Sequence, residues 1–426
     1  MDKQLRKAIE VKFGKPISKQ VDVQGLKDDI LYETSQILGY NTLRRAFGFL
    51  NSVKTSRKTL QILSNYAGYR SYNHFLKRDT EYRLGDDWIE LQMWMAKTNI
   101  DHESFSFLDK YLDKDYFSIF ISHVIKSLID QENWKQLILL FEENTLFMNN
   151  HRTITARIST SLHFSLVSLP KGKLRKILQL VENKNFRNHA IYGWVDYDYA
   201  HGYFGTLVKS SLPFLNEEEI LFTQLYLRKI AFLNKSEFSL DYLKTKVPEN
   251  CHPILHGRYL SMKYLDKQKQ RKAIKEEILT IATAQKAKNE FFQELIPVLM
   301  LLKELKFLED LFNLYYDELI GYVHWDHVSI ERYNIIALIL VNLSNKQIKN
   351  NKLLFEFFDK EKVFHINDKY HKIFYLVALY HHERLSNNDA NFKQIKSEYK
   401  RLVKELKFPF FSESFLENYF NGPKLA

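Results

Sequence analysis

Apolar residues return every three or four positions along most of this chain. From Tyr116 to Ile129 the apolar set is Phe117, Phe120, Ile121, Val124, Ile125 and Leu128, a single stripe along a helix. In Asn391–Leu406 it is Phe392, Ile395, Tyr399, Leu402 and Leu406. The same period predicts helices over Asn133–Glu143, Arg152–Leu169, Lys171–Val181, Glu217–Leu233, Pro253–Leu265, Lys267–Lys288 and Glu290–Leu302. It continues over Leu305–Leu319, Ile330–Leu343, Lys352–Asp359 and Asp368–Arg384. No run alternates apolar with polar residues between Gly-rich turns, so an all-α chain without a sheet is expected. Short polar links, such as residues 131–132, make consecutive segments into hairpins. For residues 81–426 the expectation is an irregular α-solenoid of such hairpins, with a division near 185–215. A compact helical bundle is the alternative.

The first 80 residues form a separate pattern, a small helical head. Leu5, Ala8, Ile9 and Phe13 give one helix face over Asp2–Phe13, and Gly14 and Pro16 end it. A second helix is expected over about Gly25–Gln36 with Leu26, Ile30 and Leu31 inward. Gly39 permits a sharp turn, after which Asn41 or Thr42 caps a short third helix, TLRRAFGF. There Leu43, Ala46 and Phe47 face inward and Arg44 and Arg45 outward. A basic loop, NSVKTSRK, leads to a fourth helix over Thr59–Tyr66. GYRSYNHFL then closes the head with Tyr69, Tyr72 and Phe75.

Composition supports the helical reading, since the turn-formers Gly (13) and Pro (8) are scarce in 426 residues. One cysteine, Cys251, rules out an intrachain disulfide and a multi-cysteine zinc site. No window holds eighteen uninterrupted apolar residues, and the charged N-terminus has no signal-peptide core. A cytoplasmic protein with no membrane span is therefore expected. Charge changes the picture most. Residues 1–80 hold fifteen basic and seven acidic residues, which is eight of the chain's net +11. Between Tyr40 and Arg78 there are eight Lys or Arg and no Asp or Glu. A basic module on a nearly balanced chain is the footprint of a phosphate-binding surface.

The order of parts in the first 78 residues resembles the helix-turn-helix domains of the repressor and Cro type. The string T-L-R-R-x-F-G, a basic loop and T-L-x-x-L-x-x-Y-x-G-Y also resembles the opening module of many uncharacterised bacterial proteins. That resemblance implies Asn41, Thr42, Arg44 and Arg45 against DNA bases and phosphates, and Lys54, Arg57 and Lys58 against the backbone. Arg70 joins them as a DNA-binding candidate. The hairpins of the body resemble tetratricopeptide arrays in kind. The expected function is a cytoplasmic bacterial DNA-binding regulator: double-stranded DNA on the head, a protein or peptide on the body, and homodimerisation compatible with both. The alternative is an interaction scaffold, in phage defence for example, with the head as an adaptor.

Three further stretches carry chemistry-bearing residues. Arg157-ISTSL-His163 has the R-x5-H form of HEPN-type ribonucleases, which supplies a third reading as an RNA-cleaving enzyme. HAIYGWVDYDYAHGYFG, residues 189–205, offers His189, Asp196, Asp198 and His201 as metal ligands. Its tyrosines, tryptophan and glycines favour a packed aromatic corner instead. HWDH at 324–327, His371 and His381–His382 read as caps and surface groups. No cofactor or metal is expected.

Overall fold

The computed structural model of the protein describes residues 3–421 apart from 35, 52–54, 97–102, 113, 115, 143–151, 246, 248–250, 321–327, 348–350, 352–353, 356–367 and 387–390. The expected helix Lys352–Asp359 lies largely outside the described residues. The fold is all-α, with no strand among the described residues. The chain forms two compact units, Met1–Val124 and Ile125–Ala426.

The first unit opens with α1 (Lys3–Phe13), α2 (Gln20–Thr34), α3 (Tyr40–Ala46), α4 (Arg57–Tyr66) and α5 (Tyr72–Met95). A single apolar cluster runs from Leu5 and Ile9 through Leu26, Ile30, Leu43 and Leu63 to Phe75, so all five helices share one core. Arg6 ties the α1 face to two loops, donating to the carbonyls of Ile17 at 2.8 Å and Phe47 at 3.4 Å. The Tyr66 hydroxyl donates to Asp29, joining α4 to α2.

Several boundaries differ from the expected ones, each for a local reason. Helix α2 starts at Gln20 rather than near Gly25, because the Asp22 carboxylate takes the Lys19 N–H at 2.9 Å. Gly25 lies inside that helix, where a Cβ would meet the Phe13 ring at 3.3 Å. Neither Asn41 nor Thr42 caps α3. The cap is Gly39, whose carbonyl accepts from Thr42 and Leu43 at 2.9 and 3.1 Å. Helix α4 starts at Arg57, because the Ser56 hydroxyl accepts the Thr59 N–H at 3.2 Å. Helix α5 crosses residue 80 unbroken, so the first compact unit extends well past the boundary drawn from charge.

Helix α6 (Phe117–Asp130) spans the division between the units. Then follow α7 (Trp134–Glu142), α8 (Arg152–Val167), α9 (Lys171–Ile177), α10 (Lys184–Arg187), α11 (Tyr203–Ser211), α12 (Glu217–Leu233) and α13 (Pro253–Asp266). The chain continues with α14 (Arg271–Ala284), α15 (Lys288–Phe292), α16 (Leu295–Leu301), α17 (Leu305–Leu319) and α18 (Val328–Ser344). It ends with α19 (Lys369–Leu385), α20 (Phe392–Leu406) and α21 (Glu413–Glu417).

The segment expected as one helix over Glu290–Leu302 is two. Pro297 has no N–H to give Gln293 and its ring crowds the preceding turn. The chain therefore breaks at Gln293–Glu294 and restarts, leaving Pro297 in the first turn of α16.

Consecutive helices do pack as hairpins, α12 with α13, α17 with α18 and α19 with α20. In an open solenoid, however, each repeat touches only its neighbours. Here the Phe410 N–H donates to the Leu233 carbonyl at 3.0 Å, and the Tyr419 hydroxyl to the Met300 carbonyl at 2.7 Å. Asp198 caps α19, accepting from Lys369 and Tyr370 N–H at 2.7 Å each. The end of the chain thus returns to its middle, and nearest-neighbour stacking does not describe the second unit.

Candidate functional site

In the head, Asn41, Arg45, Arg57, Lys58 and Arg70 are exposed, Thr42 and Arg44 are half-buried, and Lys54 lies outside the described residues. Arg44 is already engaged: its Nη1 donates to the Asn41 side chain at 3.2 Å, and its guanidinium lies 5.5 Å from the Tyr40 ring centre. Two expected base-reading residues therefore hold each other. Arg45, Arg57, Lys58 and Arg70 make no ion pair among the described residues. By contrast, Arg6, Lys12 and Lys15 pair with Glu10, Glu33 and Asp22 at 2.8–2.9 Å. The placement of Arg57 and Lys58 has no stability rationale, since the first turn of a helix disfavours cations. Arg44 and Arg45 sit in the last turn of α3, where the helix dipole welcomes them.

The second polar concentration is inside the second unit, around residues 196–203. The Asp196 carboxylate accepts from the Tyr199 N–H at 3.1 Å and the Tyr203 hydroxyl at 2.8 Å, and lies 3.1 Å from His163 Nδ1. His163 Nδ1 is also 2.7 Å from the Tyr203 hydroxyl. Next to them in sequence, Tyr197 donates to Glu294 at 3.0 Å. Glu294 also accepts from Lys229 at 3.2 Å and Arg258 at 2.7 Å. Lys229 stands 4.0 Å from the centre of the Tyr197 ring, and the Arg258 guanidinium 4.3 Å from that of Phe222.

Electrostatics follow from enclosure. Burial raises the Glu294 carboxyl, but Arg258 and Lys229 outweigh it and hold the group at about 2. Burial pushes Asp198 the other way, up to about 7, against the lowering pull of the N–H bonds from Lys369 and Tyr370. The Tyr197, Tyr203 and Tyr226 hydroxyls are all held above their ordinary range by burial.

The four ligand candidates of the 189–205 stretch do not converge. Asp196 serves Tyr203, Asp198 caps α19, His201 is exposed beside Phe408, and His189 is buried near Phe141. No group of three potential metal ligands occurs among the described residues. Packing needs the glycines: a Cβ on Gly205 would lie 1.9 Å from the Ala200 carbonyl oxygen, and one on Gly193 2.2 Å from Ser159 Oγ. His163 is 4% exposed, inside this network, so it is poorly placed to meet an RNA phosphodiester. The Arg157 side chain and HWDH at 324–327 lie outside the described residues. His381 is not a surface group. It is buried against the Leu416 carbonyl at 2.8 Å, and burial lowers it to about 4.

Sequence reasoning missed Lys229, Arg258 and Glu294. Their signal was a charge set into an apolar face: Lys229 follows Phe222 and Tyr226 at the i, i+4, i+7 spacing of α12. No protein-family model, curated protein or solved structure matches this chain. What the fold and the sites define is a class, an all-α protein with a basic helical head and charged residues buried in its second unit. No helix among the described residues is long and apolar enough to cross a membrane.

Proposed function

We propose that this protein is a DNA-binding regulator: the head engages duplex DNA, and the second unit takes a protein or peptide partner whose binding is relayed to the head. The observation that carries this reading is charge segregation. Eight basic residues and no acid lie between Tyr40 and Arg78, and Arg45, Arg57, Lys58 and Arg70 are exposed without an ion pair among the described residues. Cations that neutralise one another's acids serve the fold. These four have no such acid, and phosphate is the chemistry that suits them.

The test is binding of the full chain to duplex DNA across a salt series. Arg45→Ala, Arg57→Ala, Lys58→Ala and Arg70→Ala should each weaken binding for all sequences alike. Removing one phosphate-binding cation lowers the salt slope by about one. Four variants with the wild-type slope would end the proposal. An adaptor head is the second reading, favoured by Val11, Val21, Tyr32 and Ile37, apolar residues 72–85% exposed on the head. Capture of a defined protein partner with no salt-dependent DNA binding would select it.

A further inference from the structure

Independently of the head, the Glu294 cluster carries more positive than negative charge. Lys229 and Arg258 share that one carboxylate, and the three residues are 1%, 1% and 6% exposed. Glu294 is fully engaged, with Lys229 and Tyr197 on Oε2 and Arg258 Nη2 on Oε1. The rest of the Lys229 ammonium faces the rings of Tyr197 and Tyr370 at 4.0 and 5.4 Å. Arg258 is less well served. Its Nε and Nη1 are enclosed and have no hydrogen-bond partner among the described residues, and the same holds for the hydroxyl of Tyr226. Tyr226 lies one turn beyond Phe222, the ring on which the guanidinium stacks, and the two polar groups act on each other electrostatically. The acid that acts on Tyr226 is Asp196, which is committed to Tyr199, Tyr203 and His163.

Enclosed donors of a charged group need acceptors, and an uncompensated buried charge is costly. We propose that a small monovalent inorganic anion, of the size of chloride, binds in the second unit against Arg258, with Tyr226 as a second donor. One negative charge balances one excess positive charge. Nε and Nη1 lie on different edges of the guanidinium, so one small anion meets one of them and ordered water serves the other. Burial lowers Lys229, so loss of its proton is the competing way to shed the charge. Ordered water alone is the other candidate acceptor.

The experiment melts the full chain in sodium chloride and in sodium gluconate, an anion too large to be enclosed, at matched ionic strength. A saturable rise of Tm with chloride, absent with gluconate, is expected. Lys229→Met removes the excess charge while leaving the Arg258–Glu294 pair, and should lose the chloride response. Should that variant not fold, crystals of the wild type grown in sodium bromide decide, with an anomalous peak expected against Arg258. Equal Tm in the two salts overturns the proposal, and so does a chloride response retained in Lys229→Met. A bromide peak without any Tm response means an adventitious ion only, and likewise overturns it. Water at Arg258 in place of bromide overturns it as well.

Discussion

The head and the second unit use the same basic residue types in opposite ways. Among the described residues of the first 80, the buried polar groups are Asp22, Thr59 and Ser64, and no Lys or Arg is buried. The core there is apolar and the cations stay outside. In the second unit Arg187, Lys229 and Arg258 are inside, on carboxylates that other parts of the chain deliver. Glu219 takes Arg187 at 3.1–3.2 Å across 32 residues, and Glu294 takes Lys229 across 65. An exposed cation costs folding little and stays free for a partner. An enclosed one must find its acid in a fixed geometry, so it restricts which helices can meet.

The largest expected effect comes from breaking the inner half of this comparison. Glu294→Ala leaves two enclosed cations without their carboxylate, and removing one partner of a buried pair typically costs about 3–5 kcal/mol. Denaturant unfolding should show that loss, whereas Arg45→Ala, Arg57→Ala and Lys58→Ala should each stay within about 0.5 kcal/mol of wild type. Equal sensitivity of the two sets would erase the distinction.

The next effect sharpens the role of Asp198, which has both burial and an N-cap position. Its carboxyl, raised to about 7, favours the protonated form in the fold. The stability this contributes is full below the unfolded value near 4, declines as pH rises and is gone above 7. The advantage of wild type over Asp198→Asn should therefore shrink between pH 5 and 7, by roughly 2 kcal/mol, and stay level above. An advantage that grows with pH would mean the α19 N-terminus governs this carboxylate and burial does not.

The smallest effect concerns how helices end. Glu132, Lys235, Lys303, Lys346 and Lys407 all adopt left-handed backbone, with φ between 53° and 60°. Lysine at such a position is strained where glycine is not. Lys346→Gly, after α18, should raise stability by about 0.5–1 kcal/mol in a thermal melt. A loss of stability instead would assign Lys346 a contact that outweighs the strain.

Those five residues also explain why so helical a chain manages with so few glycines. The low Gly count was legible as helix, but where each helix stops was less so. Glu217–Leu233 and Leu305–Leu319 match their expected spans because polar residues and apolar stripes end together there. Glu290–Leu302 failed because one proline outweighed a continuous apolar run. In the head, the stripe through Leu43 and Phe47 was legible, while the capping group at Gly39 is a backbone carbonyl that no side-chain preference reveals.

The sequence by itself determined the all-α class, most helix positions and the concentration of basic charge between Tyr40 and Arg78. These follow from period and composition, which act over a few residues. Only the tertiary structure decided that Asp198 would cap a helix 171 residues away, or that Lys229 and Arg258 would meet at Glu294. A single charge in an apolar stripe is locally unfavourable whatever its partner. Its acid comes from a distant segment, and neither sequence window contains the geometry that joins them.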